Sequence, residues 1–191
     1  MRWMARWWYR IRGWSIAGER PSEPKYVVIG APHTSNSDFF VFLAAVAHFH
    51  LPARYIGKHT LFRWPFGGLM RRLGGIPVRR DTGQGLVEQV VAEFARVPEM
   101  ALVIAPEGTR GRAEYWHSGF YRIASAAGVP IVCGFVDYST KTFGLGPMIH
   151  PGDDVRADME RIRAFYAGKA GRRPGNETEP RLREEEADGD R

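Results

Sequence analysis

The chain has 191 residues and a single cysteine. This length suits one domain with a sizeable core, and one cysteine excludes an internal disulfide framework and fits a reducing cytoplasm. Its 27 lysines and arginines exceed its 21 aspartates and glutamates, giving a net charge of +6 that predicts attraction to anionic lipid surfaces or to nucleic acid. No run of eighteen or more apolar residues occurs, so we expect no transmembrane helix.

The N-terminal segment, residues 1–20, predicts an amphipathic helix lying on a membrane surface. On a helical wheel, most arginines take one face and the other face collects Trp3, Met4, Trp7, Trp8, Ile11 and Trp14. Tryptophan at the boundary and arginine toward the headgroups are typical of interfacial helices, and the continuous apolar core of a signal peptide is missing. We therefore expect peripheral attachment at the cytoplasmic side of the cell membrane; the alternative is a helix that packs on its own domain.

Residues 21–167 alternate between strand-like and helix-like stretches. This alternation is typical of a single α/β domain, here expected to have a mixed central sheet flanked by helices. Strands are predicted over residues 26–30, 53–57, 76–79, 100–105 and 130–136, and helices over residues 38–48, 61–73, 84–96 and 117–127. The remaining residues, 168–191, are rich in Gly, Pro, Arg and Glu and nearly lack apolar side chains, which predicts a disordered tail.

The loop after the first of these strands carries a candidate general base. His33 and Asp38 are five residues apart, so on one helix they would lie about 140° from each other and could not share a face. The residues between them are turn formers and helix N-caps, which would let the backbone bring the two side chains together. A carboxylate on one imidazole nitrogen leaves the other free to take a proton. The alternative is a surface or helix N-cap aspartate near an unrelated histidine.

No activated protein nucleophile accompanies this pair. The sequence lacks a Gly-x-Ser-x-Gly motif, and its cysteine, Cys133, lies in a predicted buried strand where thiols are usually inert. A base without a protein nucleophile would have to activate a substrate hydroxyl directly. We therefore expect transfer of an acyl group from a thioester to an alcohol, without a covalent enzyme intermediate.

A second candidate motif is Pro106-Glu-Gly-Thr-Arg110, which follows the apolar run 100–105. The proline ends the strand, and Gly108 allows a tight turn or close approach to a ligand. Thr109, the backbone amides and Arg110 could then face an anion, since a guanidinium forms a planar fork that matches phosphate. The alternative is that Glu107 and Arg110 simply pair within a strand-to-helix turn.

Four blocks of the sequence resemble the glycerophospholipid acyltransferases of the lysophosphatidic acid acyltransferase type. In the family's order they are the His-x4-Asp motif at His33 and Asp38, the segment Gly74-Gly-Ile-Pro-Val-Arg-Arg80, the Pro-Glu-Gly-Thr-Arg motif and the strand Gly128-Val-Pro-Ile-Val132. The resemblance spans residues 26–136. It departs from the family's usual pattern at Pro32, Arg79, Ala105 and Gly111.

The resemblance implies roles for individual residues. His33 would deprotonate the acceptor hydroxyl and Asp38 would orient the imidazole. The acceptor's phosphate would be held by Lys58, Arg80, Glu107, Gly108, Thr109 and Arg110. The donor would be acyl-CoA or acyl carrier protein, with no cofactor, and the acceptor a lysophospholipid such as 1-acyl-glycerol 3-phosphate.

Other functions remain open at this stage. The acceptor could be a lyso-aminolipid, a glycolipid or glycerol 3-phosphate, or the chain could be a non-catalytic lipid-binding module. His48 and His50 match no usual zinc spacing, so we expect no metal site. No helix-turn-helix, zinc-finger or RNA-recognition signal supports nucleic acid as the partner.

Overall fold

A computed structural model describes residues 11–65, 67–78 and 85–187. The strands are β1 (Ser15–Ala17), β2 (Lys25–Ala31), β3 (Ala53–Lys58), β4 (Gly75–Val78), β5 (Met100–Ile104), β6 (Ile131–Asp137) and β7 (Thr142–Ile149). The helices are α1 (Asp38–Phe49), α2 (Gly67–Arg72), α3 (Leu86–Arg96), α4 (Gly119–Ala127), α5 (Val155–Tyr166) and α6 (Glu184–Ala187), and a 3-10 helix covers His59–Phe62. No helix among these residues is long and apolar enough to cross a membrane.

The strands form one seven-stranded mixed sheet in the order β1-β7-β6-β2-β5-β3-β4. The five strands from β6 to β4 run parallel, whereas β7 is antiparallel to β6. The carboxyl ends of those five strands therefore meet at one edge of the sheet. Ligands of open α/β sheets bind in the crevice at this edge.

Helices cover the two faces of the sheet unequally. Buried side chains of α3, α4 and α5, such as Phe94, Phe120 and Ile162, share one large core cluster with one face. On the other face, α1 packs its buried Val41 and Phe49 in two smaller clusters. α1 is thus the main described helix on this face, so the central strands are covered less extensively here than on the opposite face.

The predicted α/β class, mixed sheet and all five strands are confirmed, but two elements of the sheet were missed. β7 contains Gly144, Gly146 and Pro147, residues typical of loops. Here the glycine is required by packing, because a Cβ at Gly144 would lie 1.9 Å from the carbonyl oxygen of Ala17 in β1. The helix predicted over 61–73 is instead a 3-10 turn followed by the short α2, since Pro65 interrupts the pattern.

Both ends of the chain correct the sequence analysis. Residues 1–10 of the interfacial helix predicted over residues 1–20 lie outside the described residues, and in the remainder Ser15–Ala17 form β1 rather than helix. The tail predicted to be disordered is packed on the domain as far as residue 187. Leu182 is fully buried, the Trp116 indole donates to the carbonyl of Thr178 (3.2 Å), and Arg163 pairs with Glu185 (2.6 Å). Charged tail residues thus find partners on the domain, which their composition alone did not indicate.

Candidate active site

The loop between β2 and α1 brings His33 and Asp38 together, as their spacing predicted. Nδ1 of His33 lies 3.3 Å from Oδ2 of Asp38. The same carboxylate oxygen accepts hydrogen bonds from the backbone amides of Thr34 (3.0 Å) and Ser35 (2.8 Å), so the loop folds around it. His33 is partly exposed and its Nε2 is the ring nitrogen left for a substrate. A fixed imidazole with one free nitrogen has the geometry of a general base.

The surroundings of Asp38 keep it ionised. Burial by itself would raise the pKa of this carboxyl, but hydrogen bonds from His33, Tyr138 and the Ser35 amide outweigh burial and lower it. The Tyr138 hydroxyl donates to Oδ1 of Asp38 (2.8 Å) and also contacts the Ser37 hydroxyl (3.2 Å). A carboxylate that stays charged stabilises the imidazolium formed when His33 takes a proton.

The second motif lies beside this loop. Gly108 has a φ of +65°, and a Cβ there would lie 2.4 Å from the His117 ring, so glycine is required for the turn. Thr109 is exposed, and its hydroxyl accepts from the Gly111 amide (3.3 Å). The exposed guanidinium of Arg110 donates to the Asn36 side chain. The two motifs therefore lie close together, and the positively charged guanidinium of Arg110 lies next to the His33 loop.

Glu107 has a different position from the one its motif implied. Its side chain is 1% exposed, and its Oε2 accepts a hydrogen bond from the backbone amide of His33 (3.1 Å). Burial raises the pKa of Glu107 to about 7, even though the hydrogen bond from His33 favours the charged form. A buried carboxyl beneath the loop cannot present itself to a phosphate. Its position therefore corrects the assignment of Glu107 as a phosphate ligand: the residue holds the His33 loop in place.

Two other predicted phosphate ligands lie, in the sequence, at or just after the ends of β3 and β4. Lys58 is the last residue of β3 and is exposed at the carboxyl edge of the sheet. Arg80 lies outside the described residues, two positions beyond the end of β4. No cluster of three or more side chains suited to a metal ion occurs in the part of the chain that the structure describes.

A cavity of about 200 Å³ opens beside the His33–Asp38 pair. Its other walls are apolar side chains and backbone of the central strands and of the inner face of α1, from Phe39 to Ala45. The cavity lies between α1 and the sheet, on the face that is covered mainly by this one helix. An apolar cavity that opens beside a polar pair can hold a hydrocarbon chain with its reactive end at that pair.

A third component of the site, not predicted from the sequence, is the C-terminal strap (residues 168–180). Its Arg173 amide donates to the Thr34 hydroxyl (3.1 Å), its Asn176 side chain donates to the Arg110 carbonyl (3.3 Å), and its Ala170 carbonyl accepts from the Tyr138 amide (2.8 Å). The strap thus touches both motif loops. Tyr138 itself could have been found from the sequence, because it directly follows β6 at the same sheet edge.

A comparison with solved structures agrees with the fold. The fold resembles the crystal structure of the 1-acyl-sn-glycerophosphate (LPA) acyltransferase PlsC from Thermotoga maritima, with a TM-score of 0.58 at 15% sequence identity, over 89% of this chain and 80% of that one. A comparison with curated protein sequences gives no significant match.

The family model named Acyltransferase matches residues 15–135. The matched region runs from β1 into β6 and includes His33, Asp38 and the whole Pro106–Arg110 turn. Because it covers more than half of the chain and contains the hydrogen-bonded loops described above, the protein belongs to the acyltransferase family.

Proposed function

We propose that this acyltransferase moves a fatty acyl group from a thioester donor, acyl-CoA or acyl carrier protein, to the free hydroxyl of a lysophospholipid. The proposed acceptor is 1-acyl-glycerol 3-phosphate, and the product is phosphatidic acid. The observation that carries this proposal is that the His33–Asp38 pair lines an apolar cavity while the Arg110 guanidinium is bonded to Asn36 of the same loop. The likeness to PlsC is consistent with this acceptor.

The proposed reaction uses His33 as the general base. Nε2 takes the proton of the acceptor hydroxyl as its oxygen attacks the thioester carbonyl, and Asp38 stabilises the resulting imidazolium. The tetrahedral oxyanion then collapses, the carbon–sulfur bond breaks, and the imidazolium returns the proton to the departing thiolate. The products are the ester and a free thiol, and no bond to the protein forms. Such general base catalysis typically contributes about 10²–10⁴-fold to the rate.

The two sides of the site suit the two parts of the reactants. The fatty chain would occupy the cavity under α1, where it replaces water against apolar walls. The acceptor's phosphate would lie on the exposed side, held by Arg110 and Thr109, with Lys58 contributing from the end of β3. Arg80, outside the described residues, is a further proposed ligand. A guanidinium is well suited to this role because its donors match two phosphate oxygens at once.

The proposed setting is the cytoplasmic surface of the cell membrane. The substrates are amphiphiles that reside in a bilayer, and the basic, tryptophan-rich segment 1–14 has the composition of an interfacial anchor. We therefore propose peripheral attachment to anionic lipid.

An end-point assay tests the activity and names the acceptor. Purified protein is supplied with palmitoyl-CoA, or palmitoyl-acyl carrier protein, and a panel of lysophospholipids, lyso-aminolipids and glycerol 3-phosphate, and thiol release and lipid mass are measured. We expect phosphatidic acid from 1-acyl-glycerol 3-phosphate, with at least about 10²-fold less product from His33→Ala. His150→Ala is the matched control, since His150 is exposed and pairs with Glu23. Wild-type rates in His33→Ala would refute the mechanism, and a product from another acceptor alone would replace the proposed substrate.

A further inference from the structure

Five large apolar side chains are exposed on α1, α2 and the residue after α2. They are Phe39 (55% exposed), Phe40 (60%), Leu43 (44%), Leu69 (52%) and Leu73 (59%). Leu69 and Leu73 are four residues apart and Phe39 and Leu43 likewise, so each pair lies on one helix face. Large exposed apolar patches on a protein surface mark sites of contact with another apolar phase or partner.

A groove of about 920 Å³ joins the two groups of side chains. One wall is α1, through Phe39, Phe42 and Leu43, and the other contains Arg71, Arg72 and Leu73. Three of the five exposed side chains, Phe39, Leu43 and Leu73, line this groove, and Phe40 and Leu69 lie on the same two helices. We call the surface formed by these five side chains the α1–α2 face. Glu99, an acidic residue of the groove, is paired with Arg20 at 3.2 Å.

The groove and the cavity beside His33 share lining residues. Phe39, Phe42 and Leu51 contribute to the walls of both. Because these side chains line both spaces, the groove adjoins the apolar cavity. The α1–α2 face lies at an entrance to the proposed acyl site.

The charge of this region selects the kind of partner. Residues 39–80 contain no aspartate or glutamate, and their basic residues are Arg54, Lys58, Arg63, Arg71, Arg72, Arg79 and Arg80. Of these, Arg63, Arg71 and Arg72 are exposed beside the apolar side chains. Apolar groups flanked by arginine, with the carboxylate of Glu99 already paired to Arg20, match the acyl boundary and headgroups of an anionic bilayer.

We propose that the α1–α2 face docks on an anionic lipid bilayer and lets a lipid chain pass from the bilayer into the cavity beside His33. This face would act in addition to the N-terminal segment, and it orients the site toward the membrane. The proposal rests on the membrane association proposed above, but it does not depend on catalysis. Its test can therefore be made with a protein that carries the His33→Ala change.

Two charged substitutions on the face test docking by vesicle co-sedimentation. The vesicles contain phosphatidylcholine with or without phosphatidylglycerol. We expect Phe40→Asp and Leu43→Asp each to lower the partition coefficient on anionic vesicles about tenfold, because each removes a large apolar side chain from the lipid boundary. Ala126→Asp, at an exposed site of α4 on the opposite side of the sheet, should leave it unchanged. Arg72→Glu should weaken binding to the anionic vesicles alone.

A fluorescent label tests the contact directly. Burial raises the pKa of the Cys133 thiol to about 12, so a thiol-reactive dye should label only a cysteine introduced at the surface. A polarity-sensitive dye on Phe40→Cys should brighten and shift to shorter wavelength with anionic vesicles, and the same dye on Ala126→Cys should not.

Three results would overturn the proposal. Unchanged binding by the Phe40→Asp and Leu43→Asp variants, with an unshifted label, would exclude this face as the docking surface and leave membrane association to the N-terminal segment. No vesicle binding by the parent protein would exclude both the docking face and the membrane association. A change from dimer to monomer in the Asp variants, with vesicle binding preserved, would assign the face to a second copy of the chain. Acyl transfer is tested separately by the end-point assay, so failure of the docking proposal can be distinguished from failure of the proposed function.

Discussion

The hydroxyl of Tyr138 lies 2.8 Å from Oδ1 of Asp38, the carboxylate oxygen opposite the one that faces His33. Tyr138 directly follows β6 and Asp38 begins α1, so the contact joins residues 100 positions apart across the carboxyl edge of the sheet. The carboxylate is thereby held from both sides, by the phenol on one oxygen and by the His33 loop on the other. Because its hydroxyl contacts Asp38 and Ser37, Tyr138 would act in the proposed reaction as a positioning residue.

Tyr138→Phe should therefore weaken catalysis through Asp38. Loss of one hydrogen bond to a charged group costs about 1.5 kcal/mol, which corresponds to roughly a tenfold fall in kcat. The pKa of Asp38 should rise, because one of the bonds that lowers it is gone, and the acid limb of the kcat profile should move to higher pH. A pH-rate profile of both proteins checks this. A uniform loss of rate with an unmoved acid limb would indicate a merely structural role.

Arg110→Ala should affect the acceptor far more than the donor. The guanidinium is exposed and, among the described residues, hydrogen-bonds to the Asn36 side chain, so its removal should spare the fold. We expect the acceptor KM to rise about 10- to 100-fold, the value of one charge-assisted contact with phosphate. Initial rates with each substrate varied in turn provide the measurement, with Arg122→Ala on α4 as the control. Equal changes in both KM values would contradict the phosphate assignment.

Ala45→Phe should shift the preferred acyl chain toward shorter lengths. Ala45 lines the cavity on the inner face of α1, and seven helical residues place it about 10 Å along the axis from Asp38. A ring at this position should block a long chain and still admit a short one. We expect the ratio of rates for short and long acyl-CoA to rise about tenfold. Leu43→Phe, on the outer face of the same helix, should leave the ratio unchanged, and an unchanged ratio in Ala45→Phe would place the chain elsewhere.

Glu107 should make stability depend on pH. The pKa of this carboxyl is raised from 4.5 to about 7 in the folded protein, so folding favours its protonated form. Its stabilising contribution is fully present below about pH 4.5 and is lost as the pH rises through about 7. Relative to Glu107→Gln, the free energy of unfolding of the unaltered protein should fall by up to about 3 kcal/mol across this range.

Urea unfolding of both proteins at pH 5 and pH 8 measures this difference. Glutamine can still accept from the His33 amide, so the loop contact is preserved and only the titration is removed. Parallel pH dependence in the two proteins would mean that Glu107 remains ionised in the fold.

The local chemistry of the site could be predicted because it depends on short segments of the sequence. The turn formers between His33 and Asp38 can fold back within one loop, and the apolar run before Pro106 marks a buried strand that ends at the second motif. The α/β class followed from the same alternation of patterns. These features depend on residues close together in sequence, where backbone preferences and periodicity act directly.

Only the tertiary structure decided the contacts between distant residues. Tyr138 meets Asp38, and Glu107 is buried under the loop rather than turned to a ligand, because parallel strands bring their carboxyl ends to one edge whatever their separation in the chain. The strap was misread as disordered, since charged and glycine-rich residues lack a periodic apolar face and gain order only from partners such as Thr34 and Arg110. The sequence by itself determined the reactive groups and their local turns, and the sheet decided which of them meet.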